Sequence, residues 1–507
     1  MGKKRSQEIE EESEEEPQEL PEESEPSEDE NDTQSTKLIG EKTLNQIKIS
    51  ITKGVQGAKK LLKMYRKACR SGEEEVPIFS SAQVHNEILV LSLQELPKLF
   101  KKKLGKKLDQ SSNWKRLNNL LRSFLANTLI LLKVIKSEKL ISIAFQGLSH
   151  IAKLLHLMPE YSQLLIKQAA KLWGEEKDMI KLSSYSFLRK ALELEVIDKI
   201  ELLKSVYKTF DKNAKFMSWS KYQDIDLMRR CFVDLLGLDL SASYQVIFIY
   251  LRQLSLSLSE VIKNPSTDRV KTLYNWQYLN SLCLLAQSII KYPTHLSELA
   301  FPLLQICQGL LQITNIPKYF PIKLHFIRLL IALQASSQTY IPIITPHLLE
   351  ILLSASLQKK SKPTKLKAFH FIMALKASKE QLTSETYKEQ LIEEVCDSLI
   401  EHMAGVGNAI SFPEIMIPVK ISLKKHTKTV RNGGIRGRIL HTIKLIEDNA
   451  DFINKKRLEM NLPPIGAPIV VEGNCPLWEQ RDKILKRRAE IIRSKISSLS
   501  EENTKDY

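Results

Sequence analysis

The stretch "YFPIKLHFIRLLIALQASSQTYIPIITPHLLEILL", Tyr319–Leu353, is almost wholly apolar, is interrupted by proline and carries no evident catalytic group. Wound as a helix, it places Pro321, His325, Arg328 and Ala332 on one narrow stripe. Ile322, Leu324, Phe326, Ile327, Leu329, Leu330 and Leu333 take most of the remaining circumference. A helix that is apolar most of the way round is covered on more than one side. The Ser336-Ser337-Gln338-Thr339 cluster ends it, and Pro342 and Pro346 fit the start of a second helix. The segment therefore predicts a helical hairpin packed between others of its kind.

The rest of the chain repeats this pattern. From residue 84 to 404, amphipathic stretches alternate with short breaks carrying Pro, Asn, Gly or Ser; "LNNLLRSFLANTLILLKVIK" and "SASYQVIFIYLRQLSLSLSEVIK" are two of them. No sustained period-2 alternation bounded by turn dipeptides occurs, so sheet is not expected. Repeated helical pairs predict an all-α fold, a HEAT- or armadillo-like solenoid. A bundle of several domains has the same periodicity, and at 507 residues the chain exceeds the size at which single cores divide.

Four further segments flank the solenoid. Residues 1–36 hold 15 Asp and Glu against 3 Lys and Arg and almost no large apolar groups, which predicts a disordered acidic tail. Its Ser13, Ser24 and Ser27 sit among acidic residues as candidate phosphorylation sites. Residues 37–83 read as a basic linker with short helices, and residues 405–460 as a C-terminal helical hairpin continuing the solenoid. Residues 461–507 read as a Pro-rich loop followed by a basic helix.

Charge is divided unevenly. The tail's net −12 leaves +28 on the other 471 residues, 72 basic and 44 acidic. So basic a body implies a polyanionic partner, RNA foremost, or else a solvated basic surface. Clusters at Lys101, Lys102, Lys103, Lys106 and Lys107, and at Lys486, Arg487 and Arg488, are candidates for RNA phosphate contact or nuclear import. Glycines cluster in "RNGGIRGR", which matches no phosphate-loop pattern. It reads as an inter-helix turn, or as a phosphate contact through Arg431, Arg436 and Arg438 with the amides of the following helix start.

Several classes of function find no support. The histidines are scattered without metal-ligand spacing, and His325, His347 and His370 fall in apolar helical patterns as structural residues. No cofactor, metal or catalytic set is predicted. Cys231, Cys283 and Cys307 sit in apolar patterns and read as reduced core residues of an intracellular chain. The charged N-terminus is no secretory signal, although "MGKKRS" fits the myristoylation pattern at Gly2 and Ser6. The uncharged run from Leu299 to Pro317 carries Gln305, Gln308 and Gln312 at helical spacing, a polar stripe rather than a membrane span. Trp276 and Tyr319 read as core aromatics. A soluble chain with no small-molecule substrate is expected.

Longer motifs carry a resemblance. "LMRRCFVDLLGLDLSASYQVIFIYLRQLSL" from Leu227, "YNWQYLNSLCLLAQSI" from Tyr274, "YFPIKLHFIRLLIAL" from Tyr319 and "FPEIMIPVKISLKKHTK" from Phe412 look like signatures of the nucleolar complex protein two family. "KLWGEEKDMIKLSSYSFLRK" from Lys171 and "IEDNADFINKKR" near the C-terminal end are similar to it more loosely. The matches run in order over roughly residues 85–465. Gly433-Gly434 departs from the family where more lysine is expected. The resemblance implies a non-enzymatic scaffold of large-ribosomal-subunit (pre-60S) assembly, nucleolar and nucleoplasmic. It also implies heterodimers with the sister nucleolar complex proteins one and three, with rRNA met through basic patches. A karyopherin-like nuclear transport adaptor, or a general nuclear protein-interaction solenoid, is the alternative reading.

Overall fold

The computed structural model describes residues 44, 46, 49, 55–70, 79–104, 114–175, 177–313, 315–354, 369–430, 432–460, 470–471, 473 and 475–505. The acidic tail (1–36), Lys106, Lys107, Arg431 and most of the stretch from Leu462 to Pro476 lie outside them. The described residues are overwhelmingly α-helical and contain no strand, only bridges such as the antiparallel one between Ala409 and Val470. The fold is an all-α array of helical repeats. It divides into two compact units after Val206, within what the sequence periodicity presents as one continuous run.

Unit 1 contains α1 (Val55–Arg70), α2 (Ala82–Leu104), α3 (Trp114–Val134), α4 (Glu138–His150), α5 (Pro159–Trp173) and α6 (Asp178–Glu193). One row runs α2–α4–α6 and the other α1–α3–α5, with α1 also on α2 and α5 also on α6. The basic linker thus contributes α1, which docks through Leu61 and Tyr65; Tyr65 stacks on Phe124 at 5.6 Å and shares a 2.9 Å hydrogen bond with Thr128 Oγ1.

The α2–α4 crossing is set by Gly147. A Cβ there would lie 2.4 Å from the Leu93 carbonyl oxygen and 3.2 Å from Pro97 Cγ. Neither backbone can yield cheaply in a close-packed interior. We expect Gly147→Val to cost about 2 kcal/mol or more by overpacking, beyond the roughly 0.5–1 kcal/mol that losing a helical glycine returns. Faster hydrogen exchange in α2 and α4, with the helix Phe320–Ser337 unaffected, would check this; unchanged protection would refute it.

Unit 2 takes the second half of α7 (Lys199–Asn213) and then α8 (Trp219–Leu236), α9 (Leu240–Lys263), α10 (Thr267–Leu273), α11 (Trp276–Lys291), α12 (Ala300–Ile313), α13 (Phe320–Ser337) and α14 (Ile344–Leu352). After these come α15 (Glu385–Ala404), α16 (Ile417–Thr427), α17 (Gly433–Met460) and α18 (Pro476–Lys505). Helix starts coincide with the polar residues in the breaks. Ser218, Asp239, Ser266 and Asn275 each accept a hydrogen bond from a backbone N–H two or three residues on, which satisfies amides that have no partner inside the helix.

The chain of packed helices runs α8–α11–α13–α15–α17, with α9 on α12 and α14 against both α13 and α15. The α13–α14 hairpin expected from Tyr319–Leu353 is present. Gln338 closes α13 in the left-handed conformation (φ 51°). Gln334, fully buried one turn before, accepts from Ile341 N at 3.1 Å and donates to the His402 carbonyl at 2.9 Å, so one amide fixes both the turn and its seat on α15. Tyr319 is buried, while Trp276 is half-buried, edge-on to His325 at 5.7 Å.

The segment Pro293–Ile313 is long and apolar enough to cross a membrane. Here Leu303, Ile306, Cys307 and Leu310 are buried, and Gln305 and Gln312 of the polar stripe are exposed.

Candidate functional site

Three of the arginines singled out from the sequence converge in unit 2 on a row of carboxylates. The central element is α15, whose Glu393, Glu394, Asp397 and Glu401 recur at helical spacing along one face. Arg438 of α17 and Arg487 of α18 both donate to Glu393, the latter at 2.6 Å, and Arg487 also donates to Asp397. Arg488 donates to Glu401 at 2.8 Å and lies 3.6 Å from Glu394, which also accepts from Arg328 of α13. Four arginines thus meet four carboxylates and join α13, α15, α17 and α18. Burial, with the neighbouring Glu394 and Glu393, raises the Asp397 carboxyl to about 6 against the pull of Arg487 and Arg438. Of the narrow stripe read on α13, Arg328 belongs to this seam and is only 15% exposed, while Ala332 is exposed.

Arg438, Arg487 and Arg488 thus each have a carboxylate partner in this seam, with Arg488 18% exposed and Arg487 44% exposed, so their reading as phosphate contacts competes with ion pairing already in place. In "RNGGIRGR", Asn432 Oδ1 accepts from Gly434 N at 2.8 Å and Ile435 N at 3.2 Å. Its Nδ2 donates to Glu385 and Glu389 at 2.9 and 3.0 Å. The turn is a capped helix start whose leading amides are in use. Arg436 and Lys486 are exposed. Lys101, Lys102 and Lys103 are exposed in the last turn of α2, in unit 1. Lys106, Lys107 and Arg431 lie outside the described residues.

A second feature left no mark in the sequence reading. Between α9 and α12 runs a groove of about 360 Å³, lined by Phe248, Leu251 and Leu258 on one side and by Pro302 and Ile306 on the other, with Arg252, Ser255 and Gln305 at its polar margin. Gly309 allows this approach, since a Cβ there would press on Leu258 Cδ2 at 2.8 Å. Phe248 is 46% exposed and Phe301, beside Pro302, 68%. Isolated exposed apolar residues are ordinary, but aromatics at the edge of an apolar groove mark an interaction surface. Period-3.6 patterning reports only that α9 has a broad apolar face, not how much of it a neighbour covers. Among the described residues, no group of three or more His, Cys, Asp or Glu side chains is placed to hold a metal.

An all-α array with an ion-pair seam and an open apolar groove belongs to the class of helical-repeat proteins. Within that class, a family model described as the Noc2p family matches residues 199–467, just over half of the chain, and the chain belongs to that family. It is similar to the nucleolar complex-associated protein 2 of Arabidopsis thaliana, 27% identical over 472 residues, which are 87% of this chain and 61% of that protein. It is also similar to the nucleolar complex protein 2 of Drosophila melanogaster, 26% identical over 353 residues, 69% of this chain and 46% of that one. An uncharacterized NOC2 family protein of Schizosaccharomyces pombe is 26% identical over 446 residues, 83% and 63% of the two chains. The chain spans about half to three-fifths of the length of these relatives. The family-model match holds the groove, the α13–α14 hairpin and the seam residues of α13, α15 and α17, and ends before Arg487 and Arg488 of α18.

Proposed function

We propose that this chain is a nucleolar, non-catalytic scaffold of large-ribosomal-subunit biogenesis. It pairs with the sister nucleolar complex proteins one and three, and accompanies pre-60S particles from nucleolus to nucleoplasm. The names of its relatives support the nucleolar role. The observation that carries the scaffold reading is the α9–α12 groove, with Phe248 exposed in its lining and Phe301 exposed beside it. Interface energy concentrates in a few aromatic anchors seated in partner pockets. On this reading a partner helix lays its apolar face along the groove.

We expect Phe248→Asp with Phe301→Asp to weaken retention of a sister protein at least tenfold, while the helical circular dichroism stays as in the parent. Affinity purification of the tagged chain in high salt, read by mass spectrometry, is the measurement. Undiminished recovery would remove the groove from the interface. Recovery of neither sister protein nor large-subunit precursors by the parent chain would overturn the function.

A further inference from the structure

We propose that the last turns of α2, α4 and α6 form one basic edge of unit 1 that binds a nucleic-acid phosphodiester backbone without regard to sequence. Only the identification of that strand as pre-ribosomal RNA rests on the function proposed above.

The three helices run parallel and in register. Gly147 seats α4 directly on the Leu93 carbonyl and beside Pro97 of α2, which sets His150, one turn later, level with Lys98 and Lys101. Phe145 packs on Phe187 at 5.6 Å and Ser183 Oγ donates to Ser142 Oγ at 3.0 Å, which sets Lys190 of α6 level with His150. Residues 98, 101, 150 and 190 therefore converge although the sequence scatters them. Burial and then Lys101, Lys190 and Lys98 press the His150 proton off, as expected where positive charge gathers. Glu95 pairs with Lys98 at 2.9 Å, and Glu193 with Arg189 at 3.1 Å, which leaves the charge of the edge to Lys101, Lys102, Lys103 and Lys190.

One cation per helix end suffices to complement a macrodipole. Here α2 alone ends in Lys101, Lys102 and Lys103, all exposed. Adjacent helix ends stand about 8–10 Å apart, which makes the edge a track rather than a pocket. Lysines supply point charges suited to phosphates in any sequence, without the planar fork that reads bases. An acidic protein partner would want an apolar anchor beside the charge. The exposed apolar residues of α6, Met179 and Leu182, lie at its opposite end.

The test is fluorescence anisotropy of the purified full chain with a labelled random-sequence 20-nucleotide RNA, a matched DNA, and polyglutamate, over a range of KCl concentrations. Lys101→Gln, Lys102→Gln and Lys190→Gln together should lower RNA affinity at least tenfold and flatten the log–log salt slope by about 2, at about 0.7 per lost contact. The charge-matched exposed set Lys208→Gln, Lys212→Gln and Lys263→Gln should change affinity by threefold or less. RNA bound more tightly than DNA would assign the strand to RNA, and equal binding would still support the edge as a backbone site. Equal losses in both triple variants, or no loss in either, would overturn the proposal. So would polyglutamate binding more tightly than RNA and lost in the first triple, which would make the edge a site for acidic protein. Loss of sister-protein recovery leaves every arm of this assay standing, so the two readings fail separately.

Discussion

Replacing Glu394 with leucine should destabilise unit 2 by about 3–5 kcal/mol, the usual consequence of leaving one member of a buried ion pair without its partner. Arg328 would be the stranded charge: its side chain is 15% exposed, its Nε has no hydrogen-bond partner, and Glu394 is its ion-pair partner. Arg488 would keep Glu401 at 2.8 Å. The pair itself adds little beyond what well-packed apolar residues of similar size would supply. Glu394→Leu with Arg328→Leu should therefore recover most of the loss, giving a coupling energy of 2 kcal/mol or more in a double-mutant cycle, near the upper end of what neighbouring residues show. Hydrogen exchange across α13 and α15 measures this without assuming that the whole chain unfolds in one step. A loss of about 3 kcal/mol corresponds to roughly a hundredfold fall in protection. Parent-like protection in the single variant would dismiss the seam as a structural element.

The second large effect is with acid. His325 and His402 are held neutral in the fold, at about 3 and about 4, chiefly by burial, with Arg328 adding to the effect at His325. His325 Nε2 donates to the Ala374 carbonyl at 3.2 Å; His402 Nε2 meets Thr345 Oγ1 at 3.0 Å, and its Nδ1 has no partner. The unfolded chain takes up these protons near pH 6.5 while the native chain does not. Stability is therefore present above pH 6.5 and falls as pH drops toward the native values, by about 3 kcal/mol per histidine at pH 4. Asp397 works in the opposite sense. Its raised carboxyl is protonated first in the native state, so acidification from about 6 toward 4 returns about 2–3 kcal/mol. The sum is a net loss of a few kcal/mol between pH 6.5 and 4. His402→Gln should flatten that loss and Asp397→Asn should steepen it, measured as urea midpoints against pH. A flat profile in the parent chain would contradict the neutral assignment of both rings.

Much of this was legible in the sequence. The Tyr319–Leu353 pattern determines the hairpin, its break at Ser336–Thr339 and its burial on several sides, because burial selects residue type and a helix maps type onto a period of 3.6. The break residues are the helix caps, because only short polar side chains reach back to free amides. The polar stripe on α12 and the uneven division of charge are likewise properties of composition and spacing.

Charge pairing was not legible. Lys323, inside the same stretch, is 1% exposed and lies 3.8 Å from Glu350 of α14. Arg328 and Glu394 stand 66 residues apart in the chain, and Arg487 and Glu393 94 apart. Whether an arginine is free for phosphate or committed to a carboxylate depends on separations of a few ångströms, since both partners are chemically competent and Coulomb energy falls with distance. The open groove was hidden for the same reason: a helix's apolar face is written in its own residues, but whether another helix covers it is written in none of them. Composition and periodicity determined an array of basic helical repeats. Only the tertiary structure decided that α15 neutralises Arg438, Arg487 and Arg488, that the α2–α4–α6 edge gathers lysines with a histidine, and that Phe248 and Phe301 remain uncovered, because each is a fact of juxtaposition between segments distant in the chain.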